Sequence, residues 1–267
     1  MLVLIIIINY SIIESTYKCV FECAYYNIGF CDEGAIGLNK YIEKFQVNDY
    51  VITVQLPKSY FKCNNRYYPL LCVQDGDYLF KGRKKEVIFV GIESKDRAND
   101  FTPWQASIGS ELNGGQADKY LTWLTEKLIP LLRDKYRVSN DNNDIGIAGA
   151  SFGALVSLYA LYTMPQKFGS YILISPSLWY PQFVEFMQNH NAINKEVSVY
   201  WYVGLKEGIK HTLKIKKMVP HSLEGVKILE QSLKNNNSRF KFQTSKRGIH
   251  RHRFFKKYFN KALKYIY

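Results

Sequence analysis

Hydrophobic and polar positions along this chain switch repeatedly between two periods. Tyr50-Val-Ile-Thr-Val-Gln-Leu-Pro57 alternates with a period of two, as a half-buried strand does. It ends at Pro57, which has no N–H to give to a ladder. Tyr68–Gln74 and Glu86–Ile92 are short, continuous apolar runs, the pattern of central strands buried on both faces. Lys58–Arg66 reads as a polar turn, and Glu93–Gln116 as a long loop. The spacing then changes. Leu121, Leu124, Leu128 and Leu131/Leu132 recur at helical intervals with charges between them, which predicts a helix over Ala117–Tyr136.

Asp144 to Leu155 reads as a buried strand, a tight turn and the start of an apolar helix. Tyr171–Ser175 and Val197–Val203 are further strands, Ser222–Leu233 a helix, Arg239–Thr244 a last alternating strand, and Phe254–Tyr265 an amphipathic closing helix. Strands alternating with helices predict the α/β class, with a mostly parallel central sheet and helices on both faces. In such sheets the functional loops lie beyond the carboxyl ends of the strands. The Asp75, Glu93, Ser151, Pro176, Glu207 and Gly248 loops would all gather there. No linker and no internal repeat interrupts residues 38–267, which predicts one domain.

Residues 1–37 stand apart. Met1–Ile8 is almost wholly aliphatic, yet too short to span a bilayer, and the first lysine is Lys18. Two readings stay open for this atypical segment: a weak signal anchor, or a misplaced start with the native chain beginning near Leu38. Of the five cysteines, three precede residue 32 and no C-x-x-C pair occurs. Cys72, in an apolar strand, is a buried small hydrophobe. This usage predicts a reducing, cytoplasmic setting without a disulfide framework, and no stable membrane insertion. The formal charge of +13 favours anionic partners. The lysines are spread without a long basic run, and no zinc-finger or RNA-binding signature appears, so nucleic acid is not expected.

The chemistry concentrates at Gly149-x-Ser151-x-Gly153. A serine in a sharp turn between strand and helix projects its hydroxyl, and the free N–H groups of the helix start point to the same spot. The Phe152 N–H is then placed to stabilise an oxyanion. Such a serine needs a base, and the base an acid to orient it. The chain order in this arrangement is Ser, then Asp or Glu, then His. Only His250 and His252 follow the last strand; His250, directly after Gly248-Ile249, is the preferred base and His252 the fallback. His190, His211 and His221 read as surface residues. No aspartate occurs after Asp144. Among the glutamates, Glu207 alone sits just beyond the carboxyl end of a strand, in a glycine-flanked turn. Its competing reading is a turn residue paired with Lys206 or Lys210. The second oxyanion donor is expected from the loop after Gln74, at the Asp77 N–H.

Together these residues resemble the putative esterase family of α/β-hydrolases, which includes enterochelin (ferric-siderophore) esterases, esterase D and the mycolyltransferases. The matching stretches are Val54-Gln-Leu-Pro-Lys-Ser-Tyr60, Tyr68-Pro-Leu-Leu-Cys-Val-Gln-Asp-Gly76, Gly149-Ala-Ser-Phe-Gly153, Ile174-Ser-Pro-Ser-Leu-Trp179, Gly204-Leu-Lys-Glu207 and Gly248-Ile-His250. The resemblance implies an α/β-hydrolase fold, Ser151 as nucleophile, Glu207 as acid, His250 as base, and oxyanion donors at Asp77 and Phe152. It implies no metal and no organic cofactor. The chain departs from the family at Ala154, at Arg251-His252-Arg253 and at Phe255. The segment around Arg97 looks like the one that bears a substrate-side arginine in the siderophore esterases; a structural pair with Asp100 is the competing reading. Trp104, Trp179 and Tyr180 are candidates to wall a substrate pocket, against core packing. The function so implied is a serine carboxylic-ester hydrolase acting through an acyl-enzyme on a small-molecule ester, of siderophore type or otherwise small and anionic. A short-chain acyl esterase or thioesterase, an acyltransferase and a non-catalytic binding protein are the alternatives.

Overall fold

The computed structural model describes residues 40–108, 111–190, 193–209 and 217–267. The expectations for residues 1–37, and those for Lys210 and His211, fall outside these residues.

The described residues open with a hairpin. β1 (Ile42–Val47) and β2 (Tyr50–Gln55) pair antiparallel. Asn48 takes a positive φ of 52° in the two-residue turn, a conformation asparagine tolerates and tight hairpins need. β3 (Leu70–Gln74) and β4 (Ile88–Ser94) are the two central apolar runs. β7 (Ile145–Ala150), β8 (Ser170–Ile174), β9 (Ser198–Gly204) and β10 (Arg239–Ser245) complete an eight-stranded sheet in the order β1-β2-β4-β3-β7-β8-β9-β10. All pairings from β4 to β10 are parallel, and β2 runs against both of its neighbours. This is the mostly parallel sheet expected from the alternation of strands and helices, and the α/β-hydrolase arrangement that the family resemblance implies.

Alternate residues of each central strand feed two separate cores. Leu70 and Cys72 face one, Leu71 and Val73 the other, and all four are fully buried. The first core is covered by several helices. α2 (Ala117–Trp123) passes through a wide π-turn (Leu124–Leu128) into α3 (Ile129–Lys135). The widening falls just before Pro130, which cannot donate the next helical hydrogen bond. α4 (Phe152–Thr163) has no polar side, because Gly153 through Leu161 are all buried. α5 (Phe183–Asn189) and α6 (Met218–Ser232) close that layer. The second core lies under α7 (His252–Ile266), with Leu79 and Phe80 from the segment after β3. Among the described residues no helix is long and apolar enough to cross a membrane.

Several expectations need correcting. Glu93–Gln116 is not an unbroken loop: it holds a single helical turn, α1 (Arg97–Asp100), and a hairpin of β5 (Gln105–Ile108) and β6 (Glu111–Gly114). β1 and α5 add two elements that the apolar pattern did not announce. α6 starts at Met218 rather than Ser222, since Pro220 sits in its first turn, where a missing N–H costs little. Cys72 is buried and free as expected, and Cys63 is exposed and free.

Candidate active site

β7 ends at Ala150 and α4 begins at Phe152, so Ser151 makes the whole turn between them. It sits at φ 57°, ψ −119°, a strained conformation for a residue with a side chain and the one a nucleophile elbow requires. Gly149 permits the tight return of the chain. A Cβ there would stand 2.3 Å from the Gly153 carbonyl carbon. The Phe152 N–H opens α4 and, by helix geometry, has no intrahelical acceptor.

The acid and base expected from the sequence meet directly. Glu207 lies in the turn after β9, 3% exposed, with its N–H on the Gly204 carbonyl. Its Oε2 is 2.8 Å from His250 Nδ1. Its Oε1 accepts from Ser175 Oγ at 2.6 Å and from the Gly204 N–H at 2.9 Å. The reading of Glu207 as a partner of Lys206 therefore gives way to a buried carboxylate whose two oxygens meet three donors. The His250 loop is stitched to this turn by hydrogen bonds from Lys206 N–H to the Gly248 carbonyl and from Leu205 N–H to the Ser245 carbonyl. Phe255 packs edge-on against the imidazole at 4.9 Å between ring centres.

Ser151 and His250 line one open cleft of about 840 Å³, with Asp75, Tyr78, Arg97, His252, Arg253 and Phe255 among its other walls. The two are not hydrogen-bonded to each other. Ser151 Oγ instead lies 3.0 Å from the hydroxyl of Ser177, a wholly buried residue whose N–H donates to the Ser151 carbonyl. The Asp77 turn is held by the Gly76 N–H on the Ile92 carbonyl and by the Phe80 and Lys81 N–H groups on the Asp77 carbonyl.

Arg97 reaches the cleft, but its partner is not Asp100. Its Nε and Nη2 donate to the two oxygens of Asp75 at 2.6 and 3.0 Å, and the guanidinium lies over the Phe152 ring. Asp100 accepts instead from Ser94 Oγ, and burial raises its carboxyl pKa. Tyr180 is a core residue rather than a cleft wall: it is 1% exposed, its hydroxyl donates to the Trp104 carbonyl, and burial raises its pKa. Trp104 is likewise tied into the core, by its indole N–H to the Pro181 carbonyl and by stacking on Phe183. Trp179 is half-buried against the Phe152 ring and is not part of the cleft lining. His252 is exposed and packs on Tyr78. His190 is exposed as expected, whereas His221 is half-buried, with a lowered pKa caused mainly by burial.

Ser175, Ser177, Asp75 and Tyr78 were not singled out in the sequence. The signal for the first two was their place on either side of Pro176, immediately after a fully buried strand. A polar pair there has no solvent to face, so both hydroxyls must find partners within the fold.

The family model described as "Putative esterase" matches residues 47–266. The uncharacterized protein YbbA of Bacillus subtilis is 30% identical over 233 residues, covering 80% of this chain and 91% of that protein. A shorter match, 36% identical over 83 residues and covering 30% of this chain and 27% of that protein, is to the siderophore enterobactin esterase of Emericella nidulans. Among solved structures, the siderophore hydrolase EstA from Aspergillus nidulans superposes with a TM-score of 0.71 at 16% identity, covering 89% of this chain and 99% of that one. At such identity the likeness establishes the fold alone.

Proposed function

The chain belongs to the putative esterase family, and from that premise we propose that it hydrolyses carboxylic esters by a serine mechanism through an acyl-enzyme. The observation that carries this reading is the buried Glu207–His250 hydrogen bond at 2.8 Å, with His250 and Ser151 facing the same cleft. With Nδ1–H directed to Glu207, His250 presents Nε2 as an acceptor toward the cleft. Ser151 Oγ turns from Ser177, gives its proton to Nε2 and attacks the ester carbonyl. The oxyanion that forms is met by the Phe152 and Asp77 N–H groups. The imidazolium then protonates the departing alkoxide, and the acyl group remains on Ser151. Water, deprotonated by His250, attacks the acyl-enzyme, releases the acid and restores the serine.

For the substrate we favour a siderophore-type or other small anionic ester. The cleft wall carries Arg251, His252 and Arg253 beside the base, and relatives are named as siderophore esterases. One observation favours the second reading, a short-chain acyl esterase: the charge of Arg97 is already matched by Asp75. The exposed free thiol of Cys63 fits a reducing, cytoplasmic setting.

The test compares kcat/KM for a ferric catecholate trilactone and for p-nitrophenyl acetate. A siderophore preference of about a hundredfold, about 3 kcal/mol of transition-state discrimination, supports the first reading, and the reverse preference supports the second. Ser151→Ala should lower kcat on either ester by about ten-thousandfold or more, leaving the catalysis of the oxyanion donors and of binding. Undiminished hydrolysis by Ser151→Ala would remove the serine mechanism.

A further inference from the structure

A second feature lies toward the opposite ends of the strands from the cleft. β2 runs against β4, so its end at Gln55 lies beside Phe89 near the start of β4, away from the carboxyl ends that carry Ser151 and Glu207. A hollow of about 180 Å³ opens there, and Lys58, Arg83, Lys84 and Lys85 line it together with Gln55 and Gly82. Among the described residues no carboxylate lines it. The loop that carries the cations is fixed from below. Gln55 is 8% exposed; its amide donates to the Arg83 carbonyl at 2.8 Å and its oxygen accepts from the Gly82 N–H at 3.1 Å. Lys85 donates to the Tyr267 main-chain oxygen at 3.1 Å.

Arg83 is the unusual member. Among the described residues, its Nε is the one guanidinium or ammonium nitrogen that is buried without an acceptor. Arg133 and Arg137, by contrast, direct Nε to main-chain carbonyls, and Arg97 directs it to Asp75. An enclosed donor left unpaired is costly, and Arg83, half-buried as a residue, lines the hollow with the rest of its side chain. Three lysines beside it, one of them donating to the Tyr267 main-chain oxygen, and the absence of a carboxylate from the lining make an anion the preferred occupant. A planar guanidinium fork matches the oxygens of a tetrahedral oxyanion in particular. The volume equals roughly six waters at about 30 Å³ each. That is room for a phosphoryl group and part of its hydration, and far less than the ester cleft offers.

We propose that this hollow is a binding site for a phosphate-class oxyanion, separate from the ester cleft. The phosphate group has two sources, the free anion and the headgroup of an acidic phospholipid. Both present the same oxygens to Arg83 and the lysines.

The full chain is titrated with inorganic phosphate by calorimetry at constant ionic strength, set with chloride. In a second arm it is sedimented with phosphatidylglycerol–phosphatidylcholine vesicles and with phosphatidylcholine alone. Saturable binding that weakens about tenfold or more in Arg83→Gln is expected, with Arg83→Lys recovering only part, because it keeps the charge and loses the fork. Arg253→Gln, in the ester cleft, should bind like the parent. Hydrolysis of p-nitrophenyl acetate by Arg83→Gln should stay within about twofold of the parent, which verifies the fold without using the new site. Arg83-dependent binding of phosphate identifies the free anion, and Arg83-dependent binding of acidic vesicles alone identifies the headgroup. No binding in either arm, binding unchanged in Arg83→Gln, or binding lost in Arg253→Gln instead would overturn the proposal.

Discussion

The two halves of the candidate site are built differently. The acid–base half is buried and fully wired. Glu207 is held by Ser175 Oγ, the Gly204 N–H and His250 Nδ1, and its turn is sewn to the His250 loop through Lys206 and Gly248. The nucleophile half is strained and not yet joined to its base. Ser151 stands at φ 57°, and its hydroxyl meets Ser177 rather than the imidazole. Both halves are gripped by one tripeptide, Ser175-Pro176-Ser177, with the first serine on the acid and the second on the nucleophile. The difference teaches that orientation of the imidazole is built into the fold, whereas in the proposed mechanism the contact between serine and imidazole forms with substrate. Catalytic hydrogen bonds of this kind commonly tighten only in the complex.

The wired half should break hardest. Glu207→Gln keeps the shape but loses the carboxylate that fixes the tautomer and answers the imidazolium. It also faces the Ser175 hydroxyl and the Gly204 N–H with a weaker acceptor. We expect kcat to fall by about a thousandfold to ten-thousandfold and stability to fall by about 1–3 kcal/mol. Steady-state kinetics and denaturant melts of the one variant read both. A loss of stability with kcat intact would make Glu207 a structural residue alone.

The oxyanion side can be reached only through the backbone, since changing the Asp77 side chain leaves its N–H in place. Gly91 offers the lever. A Cβ there would lie 2.5 Å from the Gly76 carbonyl carbon and 2.8 Å from Asp77 N. These are backbone atoms, so Gly91→Ala has to shift the Gly76–Asp77 peptide. A kcat loss of about a hundredfold or more is expected, comparable with removing one oxyanion donor, along with a stability cost of about 1–3 kcal/mol from overpacking. If kcat holds while the melting temperature drops, the Asp77 N–H is not a donor.

How much of this was legible depended on where each signal lay. The central strands were legible because burial on both faces demands unbroken apolar runs, as in Leu70–Val73. The elbow was legible because few turns tolerate its glycine spacing. Glu207 and His250 were reached by chain order and by place at strand ends, and the fold brings them into hydrogen-bonding distance. The hairpin of β1 was not legible, because only Phe45 and Val47 of its six residues are buried. Nor was the Arg97–Asp75 pair, whose members are 22 positions apart and come together only when β3 and α1 are placed. Tyr180 misled because an aromatic beside a catalytic loop fits a pocket wall and a core equally well until its hydroxyl is seen to find the Trp104 carbonyl.

The smallest effect should come from the resting contact itself. The Ser151–Ser177 hydrogen bond exists only while Ser151 points away from the base, so the proposed mechanism gives it up before the carbonyl is attacked. An interaction present in the ground state and absent from the transition state does not speed the reaction. Ser177→Ala should therefore change kcat by less than about tenfold, because a net hydrogen bond of about 1 kcal/mol limits what its loss can do. Ser175→Ala, close by in sequence but on the wired half, should lower kcat more, since Glu207 must hold the imidazole through the transition state. Measuring both single variants and the double variant on one ester decides the matter. Independent effects would leave the tripeptide as two separate supports. A Ser177→Ala loss equal to that of Ser175→Ala would mean that the serine pair takes part in the chemical step, and that the nucleophile half is wired for reaction before substrate arrives.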